Sequence, residues 1–562
     1  MLIDISRRGV LAALMGAALV TASMLAMPAP ALAETPADTL VVADKIDDIV
    51  SIDPAESFEF SGNDMLNNVY DTLIELDPAD LGPLVPGIAE SWELADDGVT
   101  YTFKIKSGLT FHSGNPVRAE DAAFSLQRAV KLDKTPSFIL DQFGFTPENV
   151  EEKISFDGDT LTIVTDQPYA PSFFYNCLTA VVASVIDKET VLANEVDGDL
   201  GYGWLKTNTA GGGAYSLRSF KPSENYILEA HEGYWRGTPA MKRVFMRHVS
   251  EPATQRLLLE NGDIDVARTL TPVDIEGISD NPDLTVTDEV RGRIMYVALN
   301  QKVEPLNNPK VIEAFKYLID YEGMASTFLK GQYKVHQAFL PQGFLGALTD
   351  TPYALDVDKA KALLEEAGVG PFEVTIFVRN AQDRLEMAQS YQNTLAQAGI
   401  TATLRTGTGK EILGEYRARK HEIYLGAWGP DYPDPHTNAD TFARNPDNAD
   451  DAGLTGILAW RNAWPADEVE AMTDAAVLEK DTDKRASMYL EIQRLHQQTS
   501  PFAPMFQLIE QVATRNNVKG FAAGGSISWN IGAKGEVCWW RRWISRYIEA
   551  RLSVSFSSTA AS

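Results

Sequence analysis

The sequence predicts an α/β fold, and three observations predict it. From Ile294 to Leu425 strand patterns alternate with helix patterns, the order of a mainly parallel sheet covered on both faces. Earlier in the chain Tyr101, Phe103 and Ile105 alternate with Thr102, Lys104 and Lys106, a strand with one buried face. At 562 residues, 44% hydrophobic and 23% charged, the chain is globular in composition and long enough for more than one domain.

Acids outnumber bases 78 to 49, a net charge of -29. Such a surface repels a phosphate backbone, so nucleic acid is excluded as a partner. The two cysteines, Cys177 and Cys538, make neither a metal-ligand spacing nor a disulfide framework, though an oxidising compartment would let them pair. Arg7 and Arg8 precede an apolar run from Val10 to Met27; Pro28 and Pro30 break it, and Ala31-Leu32-Ala33 has the small-x-small form of a cleavage site. Residues 1–33 therefore read as a signal peptide rather than a retained anchor, because the run is short and no second apolar span follows. Ser6-Arg7-Arg8-Gly9-Val10-Leu11 leaves the twin-arginine and Sec routes both open. Either route puts the mature chain outside the cytoplasm, in the periplasm of a cell with two membranes.

After the signal, Leu40 to Ala43 reads as a strand and Ile52-Asp53-Pro54 as a turn. Met65, Leu66, Val69 and Leu73 recur at helical spacing within Asn63 to Thr72. Asp96-Asp97-Gly98 and Asp157-Gly158 are turn signals between strands, and Ala119 opens a helix. Gly211-Gly212-Gly213 is too flexible for a strand interior and lacks the pattern of a phosphate-cradling loop.

In the second half, Ile294 to Asn300 reads as a buried strand, and Asn308 caps a helix with Pro309 at its first position. Strand Phe372 to Val378, helix Arg384 to Ala398, strand Ile400 to Leu404, helix Lys410 to Lys420 and strand His421 to Leu425 follow in turn. Helices at Asp467 to Leu478 and Lys484 to Gln498 precede a strand from Pro501 to Ile509. In such sheets ligands bind beyond the carboxyl ends of the strands. The stretch Trp428-Gly429-Pro430-Asp431-Tyr432-Pro433-Asp434-Pro435-His436 begins at one of those ends. Its three prolines fix φ and stiffen the loop. A wide aromatic, Trp428, then stands near a fixed acid, Asp431, as a pocket for a cationic, part-apolar molecule requires. A proline-rich surface loop with solvated acids is the plainer alternative.

Tyr70-Asp71-Thr72-Leu73, Pro86-Gly87-Ile88-Ala89-Glu90-Ser91-Trp92, Asp97-Gly98-Val99-Thr100-Tyr101-Thr102-Phe103, Gly108-Leu109-Thr110-Phe111-His112-Ser113-Gly114 and Ala119-Glu120-Asp121-Ala122 occur in this order. Gly213-Ala214-Tyr215, Tyr234-Trp235, Leu259 to Asp265 and Trp428-x-x-Asp431-Tyr432-x-x-Pro435 continue the series. From about residue 40 to about residue 530 the chain resembles the extracellular solute-binding proteins of peptide ABC importers, the dipeptide, oligopeptide and nickel group. The resemblance implies a two-lobed periplasmic-binding-protein-like fold with an extra N-terminal subdomain and a hinge between the lobes. It divides the chain into a first lobe at 34–292 with a subdomain inserted at about 62–180, a second lobe at 293–505, a return at 506–536 and an atypical tail at 537–562. The hinge falls at the crossings near Arg291–Asn300 and Pro504–Gln511, and the Gly211 loop borders the cleft.

The resemblance also implies a function. The chain would be a monomeric receptor that binds a small-molecule ligand, a di- or oligopeptide, and delivers it to ABC permease subunits driven by a cytoplasmic ATPase. It would carry no cofactor and no metal. Asp431 would hold the ligand's α-ammonium, with Trp428 and Gly429 beside it. The segment after Asp53-Pro54 would bring Phe58, Glu59 and Phe60 to the cleft, where their backbone pairs with the ligand as a strand would. Core packing is the alternative for the two phenylalanines and a solvated face for Glu59. Opine, oligosaccharide and metal-chelate receptors share the family, and Asp431, Asp434 and His436 could themselves ligate a metal. A secreted hydrolase is the alternative outside the binding class. Against it, His231-Glu232 and His421-Glu422 lack the second histidine of a zinc protease, and no nucleophile elbow occurs. In the tail, Trp540, Trp543, Ile544 and Tyr547 would share one helical face among arginines, as on a membrane-surface helix or in a tail without a role.

Overall fold

The computed structural model describes residues 35–76 and 84–521, with the backbone of 533–534. The expected signal peptide, Cys538 and the basic, aromatic tail lie outside the described residues. One mixed sheet runs through both lobes. From the second-lobe edge its order is Ile400–Gly407, Phe372–Arg379, Ile423–Trp428, Leu284–Leu299 and Phe502–Arg515. It continues into the first lobe through Val266–Ala267, Thr39–Asp44, Arg243–His248, Asn225–Ala230 and Tyr215–Lys221. Phe372–Arg379 is parallel to both of its neighbours, as the alternating pattern predicts. Leu284–Leu299 joins antiparallel, because it arrives from the other lobe, so the sheet is mixed rather than mainly parallel.

The helices follow from their caps and apolar faces. Asn308 accepts the Lys310 amide and Pro309 opens the helix Pro309–Tyr317, which buries Val311, Ile312 and Phe315. Gln382–Gln397 turns Met387, Ala388, Tyr391 and Leu395 into the second-lobe core. Asp481 caps Thr482–Thr499 by accepting the Lys484 amide. A separate antiparallel sheet, ordered Ala89–Leu94, Thr100–Ile105, Thr160–Val164, Ile154–Asp157, packs with helix Ala119–Leu132 around Tyr101, Phe103 and Phe174. The hairpin expected at Asp157-Gly158 joins its last two strands.

Both lobe crossings are strands, and they are hydrogen-bonded to each other. Leu284 to Val290 pairs with Arg515 to Ile509, the register breaks between Val290 and Ile294, and pairing resumes from Ile294 against Gln507. Gln507 Nε2 donates to the Arg291 carbonyl inside that break at 2.9 Å. Buried charge surrounds it. Arg268 donates to Asp64 at 2.7 Å and to Glu510 at 2.9 Å and also pairs with Asp44, while Arg291 holds the other Glu510 oxygen at 2.8 Å.

Two local expectations change. The strand expected to stop at Leu425 runs to Trp428, because Ala427 and Trp428 still pair with Met295 and Ile294. The helix expected at Asn63 starts at Phe60 and ends at Val69. The Gly211 loop packs on the end of that helix, where a β-carbon at Gly213 would lie 2.6 Å from the Val69 carbonyl carbon. Close backbone approach therefore accounts for that glycine.

Candidate functional site in the interlobe cleft

Strand Ile423–Trp428 ends where the proline-rich loop begins, and the loop is held at several points. The Asp431 amide donates to Thr437 Oγ1 at 3.0 Å, and Asp434 Oδ1 accepts the His436 amide at the start of helix His436–Ala443. Asp434 is buried and grips Arg485 through both oxygens, each at 2.7 Å. That commitment removes Asp434 from any metal-ligand set with Asp431 and His436. The loop also docks on the inserted subdomain: Tyr432 and His436 meet Phe173 with ring centroids 5.9 and 4.9 Å apart, and Arg485 donates to Ser172 at 3.1 Å.

Asp431 is placed differently from Asp434. Among the described residues its carboxylate has neither an ion pair nor a hydrogen-bond donor. Burial, reinforced by the nearby charge of Asp440, pushes its pKa up to about 7. Part of its surface stays accessible, so the group sits in a recess closed on most sides by protein. Trp428 is half-buried on the second-lobe core, and its buried indole N–H has no acceptor among the described residues. Among the described residues the strand end and the loop after it thus carry an indole donor without an acceptor and a desolvated acid without a partner.

The first lobe supplies the facing wall. Asp53 and Arg128 form a buried bidentate pair at 2.9 and 2.6 Å that anchors the segment before Phe58. Phe58 turns back onto the first-lobe core and meets Phe138 edge-on at 5.9 Å. Glu59 is half-buried, and burial raises its pKa. Phe60 crosses the cleft: a β-carbon on Gly429 would lie 2.7 Å from its ring tip, and the Arg293 guanidinium lies over its face, 5.3 Å from the centroid. Beside it a cavity of about 380 Å³ opens between the lobes, lined in part by Phe60, Arg293, Tyr333 and Asp383.

Three arginines at this edge were not singled out from the sequence. Arg293 precedes Ile294, the partner of Trp428; Arg379 ends strand Phe372–Arg379; Arg384 lies in the first turn of helix Gln382–Gln397. All three are half-buried, and among the described residues none has a carboxylate within ion-pair distance. Burial, then the Arg384 and Arg293 guanidinium groups, pulls the Arg379 pKa below its ordinary value.

The model of the bacterial extracellular solute-binding proteins, family 5 Middle, matches residues 83–450. The chain belongs to that family. Among relatives of the family 5 chain is the probable D,D-dipeptide-binding periplasmic protein DdpA of Escherichia coli (strain K12), 29% identical over 87% of this chain and 92% of that one. Among solved structures, the dipeptide-binding protein from Pseudoalteromonas sp. SM9913 in complex with Met-Leu superposes with a TM-score of 0.75 at 21% identity, covering 88% of this chain and 100% of that one. DppA from Helicobacter pylori in complex with the peptide STSA gives 0.73 at 23%, covering 87% and 96%. These likenesses establish the fold of the family 5 receptor: two lobes around a cleft. Similar folds hold other ligands, mannopinic acid and a nickel–histidine complex among them. Family 5 members are binding receptors rather than enzymes, and no described helix here is long and apolar enough to cross a membrane.

Proposed function

We propose that this chain is the periplasmic receptor of an ABC importer for short peptides. In this reading Asp431 holds the ligand's α-ammonium and Trp428 walls the site and donates its indole N–H to a ligand carbonyl. The Phe58–Phe60 backbone pairs with the peptide. The lobes close over it by bending at the two crossing strands, and the closed monomer is read by the permease subunits. The observation that carries the reading is the unpaired, desolvated carboxylate of Asp431. An α-ammonium brings a charge-assisted hydrogen bond to that carboxylate, and the bound peptide supplies the missing strand. The relatives with peptide-binding names and the peptide-bound structures support the same ligand class.

Mass spectrometry of whatever co-purifies, followed by calorimetry with di- and tripeptides on the wild type and Asp431→Ala, tests this. Peptide binding that weakens by roughly 2–5 kcal/mol in the variant supports the assignment. Undiminished binding would overturn it. A peptide hydrolysed on incubation would return the chain to the enzyme class.

A further inference from the structure

The proline-rich loop passes between two cavities. Gly429, two residues before Asp431, meets Phe60, which borders the cavity of about 380 Å³. Pro433, two residues after Asp431, borders a second cavity of about 370 Å³, on the side of the inserted subdomain. Its wall draws on separate parts of the chain: Asn176 of the subdomain helix Pro171–Cys177, Phe344 and Leu345 of a second-lobe loop, Pro433, Thr482 at the start of helix Thr482–Thr499, and Arg291 at the break in the crossing strand. The second-lobe loop is pinned to the other crossing strand, since the Gln342 amide donates to Gln507 Oε1 at 3.0 Å and the Gln342 carbonyl accepts from Gln507 Nε2 at 3.2 Å. Gly343 borders the cavity too, and nothing lies within 4 Å of where its β-carbon would stand. Among the described residues that line the cavity Arg291 alone is charged, and Glu510 holds it at 2.8 Å. The neighbouring charges are engaged or face water. Arg485, which reaches Ser172, is gripped by Asp434; Lys334 Nζ donates to Gln342 Oε1 at 2.6 Å; Asp481 and Asp483, on either side of Thr482, are exposed. Asn176 presents a neutral amide that makes no hydrogen bond among the described residues. At most about 7 Å of chain separates Asp431 from Pro433. The α-carbon that carries a peptide's ammonium also carries its first side chain. With the ammonium on Asp431 and the peptide backbone along Phe58–Phe60, the second cavity is the space left for that side chain.

We infer that the second cavity takes the side chain of the ligand's first residue, and that the inserted subdomain, through Asn176, helps the receptor select a large uncharged side chain there, aromatic above all. An aromatic ring gains by burial against Phe344, Leu345 and Pro433. A charged side chain would shed its hydration and find no free counter-ion. This rests on the peptide reading of the cleft.

Calorimetry with Phe-Ala, Ala-Ala, Lys-Ala and Glu-Ala on the full chain and on the variants Leu345→Trp and Asn176→Asp tests it. The wild type should bind Phe-Ala at least about tenfold more tightly than each of the other three. Leu345→Trp fills the cavity and should bring the Phe-Ala to Ala-Ala ratio to within about twofold. Asn176→Asp puts a carboxylate in the wall and should move the Lys-Ala to Glu-Ala ratio at least about tenfold toward lysine, a gain that a misfolded variant cannot give. Equal wild-type affinities for Phe-Ala and Ala-Ala, or a ratio left unmoved in either folded variant, would overturn the inference and leave the peptide reading standing. If no dipeptide binds, ligand-observed NMR with indole separates the two ideas. Indole binding that Leu345→Trp abolishes upholds the aromatic site while the peptide reading falls. No indole binding removes the aromatic site as well.

Discussion

Gly429 and Phe60 come from opposite lobes and meet so closely that a β-carbon on the glycine would stand 2.7 Å from the ring. The contact joins the two lobes. Phe60 is 40% exposed, so its ring has somewhere to go if the glycine is lost. Gly429→Val should raise the free energy of the closed state by about 1–3 kcal/mol and weaken ligand binding by the corresponding factor. The double variant with Phe60→Ala should recover much of that loss. Calorimetry on the four-member cycle checks the coupling; strictly additive effects would mean the two residues do not meet on closure.

Asp431 has a raised pKa in the folded, ligand-free protein, about 7. A raised carboxyl pKa contributes stability that is fully present below the unfolded value, near 3.9, and is lost as pH rises through the folded one. Asp431→Asn should therefore make the ligand-free protein more stable, with a gain that grows between about pH 4 and 7 and levels off above. Ligand affinity should move the other way. Below pH 7 the wild-type acid must first lose its proton, so affinity for an ammonium ligand falls by up to about tenfold per pH unit, and the asparagine variant loses this dependence. Thermal melts and calorimetry across pH 4.5–8.5 read both effects.

The Asp434–Arg485 pair is fully buried and bidentate. Asp434→Ala strands the guanidinium and should destabilise the protein by about 3–5 kcal/mol. Arg485 also reaches Ser172 on the inserted subdomain, so the loss should loosen the docking of the proline-rich loop. Urea denaturation with tryptophan fluorescence measures it. A loss under 1 kcal/mol would show that water reaches the site.

Glu510 is buried, which by itself raises its pKa, but Arg268 and Arg291 outweigh burial and hold it below the ordinary value. Its contribution to stability is present above the unfolded pKa, near 4.3, and lost as pH falls through the lower folded one. Glu510→Gln removes the anion shared by two buried arginines. The expected outcome is a loss of about 3–5 kcal/mol at neutral pH that shrinks toward pH 3. Denaturation at pH 7 and pH 3.5 checks the sign.

Much of this was legible in the chain. The proline-rich loop declares its own stiffness, and its place just after a strand end could be read from ten consecutive residues. The strand–helix alternation gave the second-lobe sheet, and the Asn308-Pro309 pair gave a helix start. Other features were hidden because they depend on assembly. Arg293, Arg379 and Arg384 stand on three separate elements, and each alone looks like a solvated strand end or helix surface. Asp434 and Asp431 share a sequence context; only the position of Arg485, on a distant helix, makes one a structural anchor and leaves the other without a partner. Strand Leu284–Leu299 breaks the expected parallel order by pairing antiparallel with both Ile423–Trp428 and Phe502–Arg515, and the second partner comes from late in the chain, a pairing no local pattern announces.

That last pairing also bears on how the molecule is made. Val266 and Ala267 bond to Thr514 and Ala513, so the first lobe cannot finish its sheet until more than five hundred residues have been synthesised. Contacts this far apart form late and slowly. A nascent chain is thus kept from locking its amino-terminal half prematurely. Its final shape arrives only when strand Phe502–Arg515, made late, slots into the middle of a sheet begun near its first strand.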